Sequence, residues 1–450
     1  MMKLNFNVRR ATNAKRISLI LAMLCFACCV AAYARRAPVR VRMQRAGSAH
    51  VVAPSPDTAW PQWGGVRRDF KADAKGLAAR WPAGGPRKLW ERPLGDGHSS
   101  IVSDGARLYT MYRKGEREFV VALDAASGRT VWEHAYDAPI LPKMDTTYGF
   151  GPHSTPLLTG ELVCSIGMTA KLLCLNKTTG KPVWGHDLWN DFNGSRINVG
   201  YSSSPIAYKE TIIVQVGGAG HSLMAFDRRD GHTVWQAQDF RNSSSSPIII
   251  NVGGQTQLVA FMHNEVVGLD PETGALLWRH PVSAEWNFHF NISTPVWSAE
   301  DNLLFVSAAY GMGGRVLQLA RAAGGKTTVR ELWQSERTRV HKENAIRLGD
   351  VVYASTGHLG PAFFTAIDVK TGRVHWQERG FSHASFLYAD GKFIILDEDG
   401  TLGLATPTPT GLNVHARVDL LSGTSWTVPT LVGTTLYLRD RRNIMALRLS

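Results

Sequence analysis

The sequence predicts an all-β protein, an eight-bladed β-propeller of four-stranded antiparallel blades, on three observations. A short motif recurs five times, an Asp or Asn followed four residues later by Gly and four further on by Trp: Asp124/Gly128/Trp132, Asn176/Gly180/Trp184, Asp227/Gly231/Trp235, Asp270/Gly274/Trp278 and Asp368/Gly372/Trp376. A Ser- or Thr-rich pair followed by Pro or an aliphatic residue recurs between the copies. No long window carries an apolar period of 3.6, and most copies recur at roughly 40 to 50 residues, the spacing of a repeat array.

The motif reads as a β-hairpin. An apolar strand precedes each Asp or Asn (residues 119–123, 172–175, 223–226, 266–269 and 363–367), and a second strand follows the Gly and ends in the Trp. The short side chain can accept backbone N–H groups two residues on, and Gly supplies the positive φ that closes the turn. Burying each indole, about 200 Å² at roughly 25 cal/mol per Å², contributes on the order of 5 kcal/mol gross, an upper bound that is enough to staple one hairpin to its neighbour.

The second anchor opens each unit: Ser99-Ser100-Ile101, Ser154-Thr155-Pro156, Ser203-Ser204-Pro205, Ser245-Ser246-Pro247, Ser293-Thr294-Pro295 and Thr427-Val428-Pro429. One unit is then an opening strand, two further strands, a turn and the Trp strand, which is a propeller blade. The outer strands carry Trp90, Trp132, Trp184, Trp235, Trp278, Trp333 and Trp376, with a degenerate eighth near His415. The first of these, residues 87–92, has no hairpin before it, and the last unit, from Trp426, ends after its third strand. The N-terminal strand is therefore expected to complete the C-terminal blade, which removes two exposed sheet edges. Shared among eight blades, residues 87–450 give about 45 each, inside the usual range.

Ahead of the ring, residues 59–86 are rich in Trp, Gly and Pro and are expected to strap across it, and residues 35–58 have the composition of a disordered linker. The apolar run 17–32 with Ala32-Tyr33-Ala34 behind a basic flank reads as a secretory signal peptide. Arg35-Arg36 directly after that site fits an uncleaved anchor instead, although the run is short for a membrane span. Arg9-Arg10 reads as ordinary basic flank, and Cys28 and Cys29 lack the upstream Leu of a lipidation site. Residues 1–34 are thus expected to export the chain to the periplasm or cell envelope and to supply whatever membrane association it has. The formal charge of +13 also belongs here, because residues 1–45 hold ten Lys or Arg and no acid, leaving 40 − 37 = +3 for the remainder. A near-neutral body argues against a nucleic-acid partner.

Cys164 and Cys174 are the two cysteines after residue 34, on two strands of one hairpin. A cross-strand disulfide there is geometrically strained, so two buried thiols are the expectation.

With its repeats laid out, the chain resembles the pyrroloquinoline-quinone-like β-propeller repeat proteins, the superfamily of quinoprotein alcohol dehydrogenases and of BamB-type outer-membrane assembly lipoproteins. The matching text is Val121-Ala122-Leu123-Asp124 through Ser127-Gly128-Arg129-Thr130-Val131-Trp132 with its copies, and the opening Trp60-Pro61-Gln62-Trp63-Gly64-Gly65. The resemblance implies that the repeated Trp residues dock between blades and are structural. It also implies, for the dehydrogenases, an adjacent cysteine pair beside the quinone, with a Glu, an Asn and an Asp around calcium and a catalytic Asp. This chain has no adjacent cysteines after Cys28-Cys29 and lacks the long insertions around the funnel. Asp397-Glu398-Asp399-Gly400 sits between two strands and reads as a hairpin turn, without the carboxylate spacing of a calcium site.

Residues just ahead of each opening strand gather around a propeller's channel. Those positions hold His98 and His153, with His341 and His383 one residue earlier in their blades and Tyr201, Asn242, Asn291, Lys342, Glu343 and Trp426 nearby. Neutral imidazoles around one axis suit a metal or a carboxylate ligand; polar residues that hold water at a channel mouth are the plainer reading. Two longer loops, 137–151 and 188–201, carry aromatics that either form a contact patch or fold back as a lid. Gly217-Gly218-Ala219-Gly220 opens no helix and so does not read as a phosphate loop. The expectation is an exported, monomeric, non-catalytic scaffold for an envelope protein or peptide, with neither cofactor nor metal. The alternatives are an oxidoreductase using pyrroloquinoline quinone with calcium, and a propeller that senses a small ligand.

Overall fold

The computed structural model describes residues 59–282, 291–358 and 360–450. The expected signal or anchor (1–34) and linker (35–58) lie outside the described residues. Among those described there is no helix, and the strands form eight four-stranded antiparallel sheets. The first blade comprises Val102–Ser103, Arg107–Lys114, Arg117–Asp124 and Thr130–Asp137, and each later blade repeats this inner-to-outer order. The eighth is built from Thr430–Val432, Thr435–Arg439 and Asn443–Arg448, and its outer strand is Arg87–Pro93, paired from Arg87 opposite Arg448 to Pro93 opposite Asn443. The chain's two ends therefore share one sheet, as the truncated last unit requires. Arg439, fully buried, fastens the seam by donating from Nη1 to the Ser99 carbonyl, Thr110 Oγ1 and the Met111 carbonyl of the first blade.

The repeated motif proves to be an inter-blade joint. Within each copy the Gly N–H donates to the Asp or Asn carbonyl at 2.8–2.9 Å. The Asp or Asn side chain accepts N–H groups two or three residues on, such as Ser127 N at Asp124 and Thr178 and Thr179 N at Asn176. Six of the seven Trp residues then donate their indole N–H to a carbonyl of the following blade, at 2.8–3.1 Å: Trp90 to Ala125, Trp132 to Lys177, Trp184 to Arg228, Trp235 to Pro271, Trp333 to Val369 and Trp376 to Thr408. The indole lies over the motif Gly of the next blade wherever one exists, and a Cβ at Gly128, Gly180, Gly231, Gly274 or Gly372 would come within 2.5–2.6 Å of that ring.

Trp278 is the exception. The fifth blade has no motif Gly to receive it, and Trp278 instead donates to Gln257 Oε1 of its own blade at 2.7 Å, over Gly268.

The Ser/Thr–Pro pairs lie just ahead of the inner strands and form a belt around the axis. Ser100 N donates to Thr155 Oγ1, Thr155 N to Ser204 Oγ and Ser204 N to Ser246 Oγ, each link joining one blade to the next. Polar side chains thereby satisfy backbone groups that a buried inner edge would otherwise leave unpaired.

Cys164 and Cys174 correct the sequence expectation. They are register partners with Cα atoms 4.1 Å apart, and their sulfurs are joined in a disulfide. The tight turn of residues 167–170 sets the two side chains face to face on one side of the hairpin, which brings the sulfurs together.

Residues 59–86 cross the ring. Trp60 exchanges backbone hydrogen bonds with Ser103 of the first blade, and the Pro61 carbonyl accepts from Leu158 of the second. Arg68 donates to the Ser204 and Pro205 carbonyls beside the third, and Trp63 Nε1 donates to Thr294 Oγ1 ahead of the fifth. Phe70 and Ala72 bond to Tyr388 of the seventh, and Ala78 to Leu449 after the eighth. Contacts on opposite sides of the ring mean that the strap runs across the axis.

Candidate functional site

On the axis lies a chamber of about 420 Å³. Trp63 of the strap forms its floor, held by Thr294 and by an edge-on contact with Phe70 at 5.3 Å. Ser204, Ser244, Ser246 and Thr294 line the belt above, and the wall toward the mouth is aromatic and basic: His98, Tyr148, His153, Tyr310, His341, Lys342, Glu343, His358, His383, Glu398 and Trp426.

Seven of the ten positions singled out in the sequence meet here: His98, His153, His341, Lys342, Glu343, His383 and Trp426. Asn242, Tyr201 and Asn291 do not. Tyr201 is 1% exposed and turns into the core between the second and third blades, its hydroxyl donating to the Gln215 carbonyl at 2.8 Å. Asn291, also 1% exposed, donates from Nδ2 to the Met262 and His263 carbonyls and ties its segment to the fourth blade. Both serve backbone satisfaction away from the chamber, because the inner segments of their blades reach the axis at neighbouring residues, Ser202 and Ile292.

One wall is a continuous polar network. Lys342 Nζ lies 3.3 Å from both Glu343 Oε1 and Glu398 Oε2 and 4.6 Å from the Trp426 ring centre. Trp426 Nε1 donates to Glu398 Oε2 at 2.9 Å. His383 Nδ1 is 2.9 Å from Glu343 Oε1, a close ionic contact whose N–H is not well aligned as a hydrogen bond, and the His341 backbone N–H donates to Glu343 Oε2. Burial alone would raise the Glu343 carboxyl, but His383 and Lys342 outweigh it and hold it down to about 2. The same contact raises His383 above the ordinary histidine value.

The other histidines around it stay neutral. Burial pushes His98 down to about 3, with His153 adding to the effect, and lowers His153 and His341 to about 4 each. His98 stacks on Trp426 at 4.9 Å, and its Nε2 lies 2.9 Å from the Tyr148 carbonyl. A carbonyl only accepts, so Nε2 carries the proton and Nδ1 of the neutral ring is a bare acceptor. His341 Nε2 is 2.9 Å from the Tyr310 hydroxyl.

Loop 137–151 brings Tyr148 to the mouth, 6.0 Å from Trp426, with Tyr148 and Phe150 being 41% and 48% exposed. Loop 188–201 folds back instead: Trp189 is buried, and Phe192 packs on Phe226 at 5.6 Å. Sequence reasoning missed Tyr310 and His358, which arrive from turns between a blade's middle strands, outside the repeating positions. It also missed Glu398, because Asp397-Glu398-Asp399-Gly400 is indeed a turn, with Asp397 accepting from Thr401 N, yet one side chain of that turn faces the chamber.

The donor set does not fit a quinone with calcium. The disulfide is buried between the second and third blades, away from the chamber, and among the described residues Lys342 ties up both carboxylates that line it. The described residues hold one trio of donors within 4.8 Å of one another, Asp227, Asp230 and His232, and it lies in a hairpin turn of the third blade rather than on the axis.

Fold and site together define a closed eight-bladed propeller with a blind axial chamber. The chain belongs to the family whose model is described as outer membrane protein assembly factor BamB, which matches residues 116–378. It is 24% identical over 246 residues to outer membrane protein assembly factor BamB of Yersinia pestis, a match covering 51% of this chain and 58% of that protein. It is 28% identical over 151 residues to quinoprotein alcohol dehydrogenase PedH of Pseudomonas putida, covering 32% of this chain and 23% of the relative. Its fold matches that of BamB from Moraxella catarrhalis, with a TM-score of 0.56, 16% identity and coverage of 80% of this chain and 99% of the other. It also matches quinohemoprotein alcohol dehydrogenase from Comamonas testosteroni, with a TM-score of 0.64, 11% identity and coverage of 88% and 81%.

Proposed function

We propose that the protein is a non-catalytic binding scaffold of the cell envelope that engages a polypeptide partner in outer-membrane protein assembly. The observation that carries this reading is the mouth of the ring, where loop 137–151 offers the exposed aromatics Tyr148 and Phe150 on a rigid frame. Exposed aromatics of this kind anchor protein contacts. Family membership and the names of the assembly-factor relatives supply the kind of partner. The disulfide accords with an oxidising compartment, and so with residues 1–34 acting as an export signal or anchor and residues 35–58 as a tether.

The test is site-specific photo-crosslinking in intact cells. A crosslinker at Phe150 is expected to capture an outer-membrane assembly protein, and one at the exposed Val234 on an outer strand is expected to capture none. No capture from Phe150, or equal capture from both, overturns the reading. The oxidoreductase alternative is opposed by the donor set described above. Addition of pyrroloquinoline quinone and calcium is expected to leave both the quinone absorption and the melting temperature unchanged.

A further inference from the structure

We propose that the Cys164–Cys174 disulfide seats the two long loops of the mouth, so that oxidation of this one pair sets whether the partner-binding rim is ordered. The seating stands on contacts within the chain, and its consequence for the partner rests on the scaffold reading. The bond joins strands Leu162–Ile166 and Lys171–Asn176 of the second blade, with the pairs Ser165–Leu173 and Ile166–Leu172 between it and their turn. That turn is tight: the Gly167 N–H donates to the Lys171 carbonyl at 3.0 Å and the Ala170 N–H to the Gly167 carbonyl at 2.9 Å. Ala170 sits at φ +61°, a left-handed conformation that an L-residue keeps only under restraint.

Both loops that flank this blade are fastened to the hairpin tip. Loop 188–201 leaves it and returns to it, with the Leu188 N–H donating to the Ala170 carbonyl at 3.0 Å and the Tyr201 N–H to the Met168 carbonyl at 2.9 Å. Loop 137–151 is tied by Lys171 Nζ, which donates to the Asp137 carbonyl at 2.9 Å. The two loops also hold each other, the Asp145 N–H donating to the Asn198 carbonyl at 2.8 Å. Their apolar side chains share one buried cluster with the sulfurs: Leu188, Trp189 and Tyr201 belong to it, and Leu141, Met144 and Phe192 pack against it. On its other side the tip leans on the first blade, where the Met168 N–H donates to the buried Glu118 carboxylate at 3.2 Å. Cross-linking the hairpin therefore fixes the surface from which both loops hang. Without the bond only ladder hydrogen bonds and packing hold the tip, and its opening releases the two loops together.

Both sulfurs are fully buried, so an exchange partner reaches them before the rim closes or when the tip lifts. In forming the bond each thiol gives up its hydrogen. The two electrons and two protons pass to a protein disulfide of the oxidising compartment, whose S–S bond breaks and which leaves as a dithiol. Rim order thus records the oxidation that the chain met while folding.

The test is hydrogen exchange of the purified full chain, oxidised against reduced, the reduced form being made with a phosphine in mild urea and returned to buffer with the phosphine present. The sequence is the same in both, so the bond alone differs. Exchange is expected to accelerate about tenfold or more in residues 137–151 and 188–201, and less than about twofold in strand Gln255–Phe261 of the fourth blade. The Cys164→Ala/Cys174→Ala variant, which cannot re-form the bond, is expected to give the same pattern. Loops that exchange no faster in the reduced chain, or equal acceleration in the fourth blade, overturn the proposal. In cells, capture from a crosslinker at Phe150 is expected to fall about threefold or more in the double variant, because a disordered loop must be ordered on binding. Full capture by a variant whose loops have loosened overturns the control of the partner. A wild-type chain that captures nothing overturns the scaffold reading instead, and hydrogen exchange still decides the seating.

Discussion

A methyl group on Gly231 would sit 2.5 Å from the Trp184 ring at a position whose φ is +78°. Gly433, in the turn opening the last hairpin, has φ +56° with nothing within 4 Å of a Cβ. Gly433→Ala is therefore expected to cost only the left-handed strain, about 1 kcal/mol, and Gly231→Ala about 3 kcal/mol or more, because the indole must also move. Urea denaturation checks this, and equal costs would show that the ring contact contributes nothing. The chamber histidines act through protonation. His98, His153 and His341 have folded values near 3, 4 and 4, below the unfolded value of about 6.5, so the unfolded chain binds more protons as pH falls. Their contribution to stability is present above about pH 6.5 and is lost as pH falls toward 4. His383, raised by Glu343, works in the opposite sense and loses its contribution as pH rises through its folded value. Denaturation midpoints are expected to fall between pH 7 and 5, and to fall less in His341→Phe. At this scale the sequence disclosed about half the chamber. His98, His153 and His341 each stand four residues ahead of their inner strand and His383 directly ahead of its own, whereas Tyr310, His358 and Glu398 come from turns whose lengths differ between blades.

Hairpins were legible because Asp, Gly and Trp each answer a local demand of the turn. The joint they make was not, since it pairs the Trp of one copy with the Gly of the next. The fifth and seventh blades both lack the motif Gly, yet Trp376 still reaches Thr408 of the seventh, whereas Trp278 turns back to Gln257, whose Nε2 also donates to Thr327 Oγ1 at 2.7 Å. Gln257→Leu strands two buried groups at once and is expected to cost about 2–4 kcal/mol, against about 1 kcal/mol for a solvent-facing Gln such as Gln236 replaced in the same way. Thermal melts decide between them. The disulfide shows a second limit of sequence reading: general strain arguments favoured free thiols, and only the actual Cα spacing of 4.1 Å shows how closely this hairpin brings the pair together.

For the molecule as a whole, the ring is closed by one strand pair and by contacts between the eighth blade and the first, a buried cation among them. Arg439→Met keeps most of the volume but leaves the Ser99 and Met111 carbonyls short of a donor across the seam. It is expected to destabilise by about 2–4 kcal/mol. Hydrogen exchange should accelerate first in residues 87–93 and 443–448, while the fourth blade stays protected; uniform acceleration would mean that the seam is not the weakest joint. The eight-fold count and the shared last blade could be read from the sequence because an unpaired first strand and a three-stranded last unit complete each other. The strap's path could not, since its contacts with Ser103, Leu158, Thr294, Tyr388 and Leu449 follow no period.

With Trp63 across its base, the axis is a cup and not a pipe. Anything that enters past Tyr148 must leave the same way, so no solute is conducted from one side of the ring to the other. A polypeptide seated on that rim would act as a stopper, and the dwell time of a guest inside would then be set by how long its cover stays on.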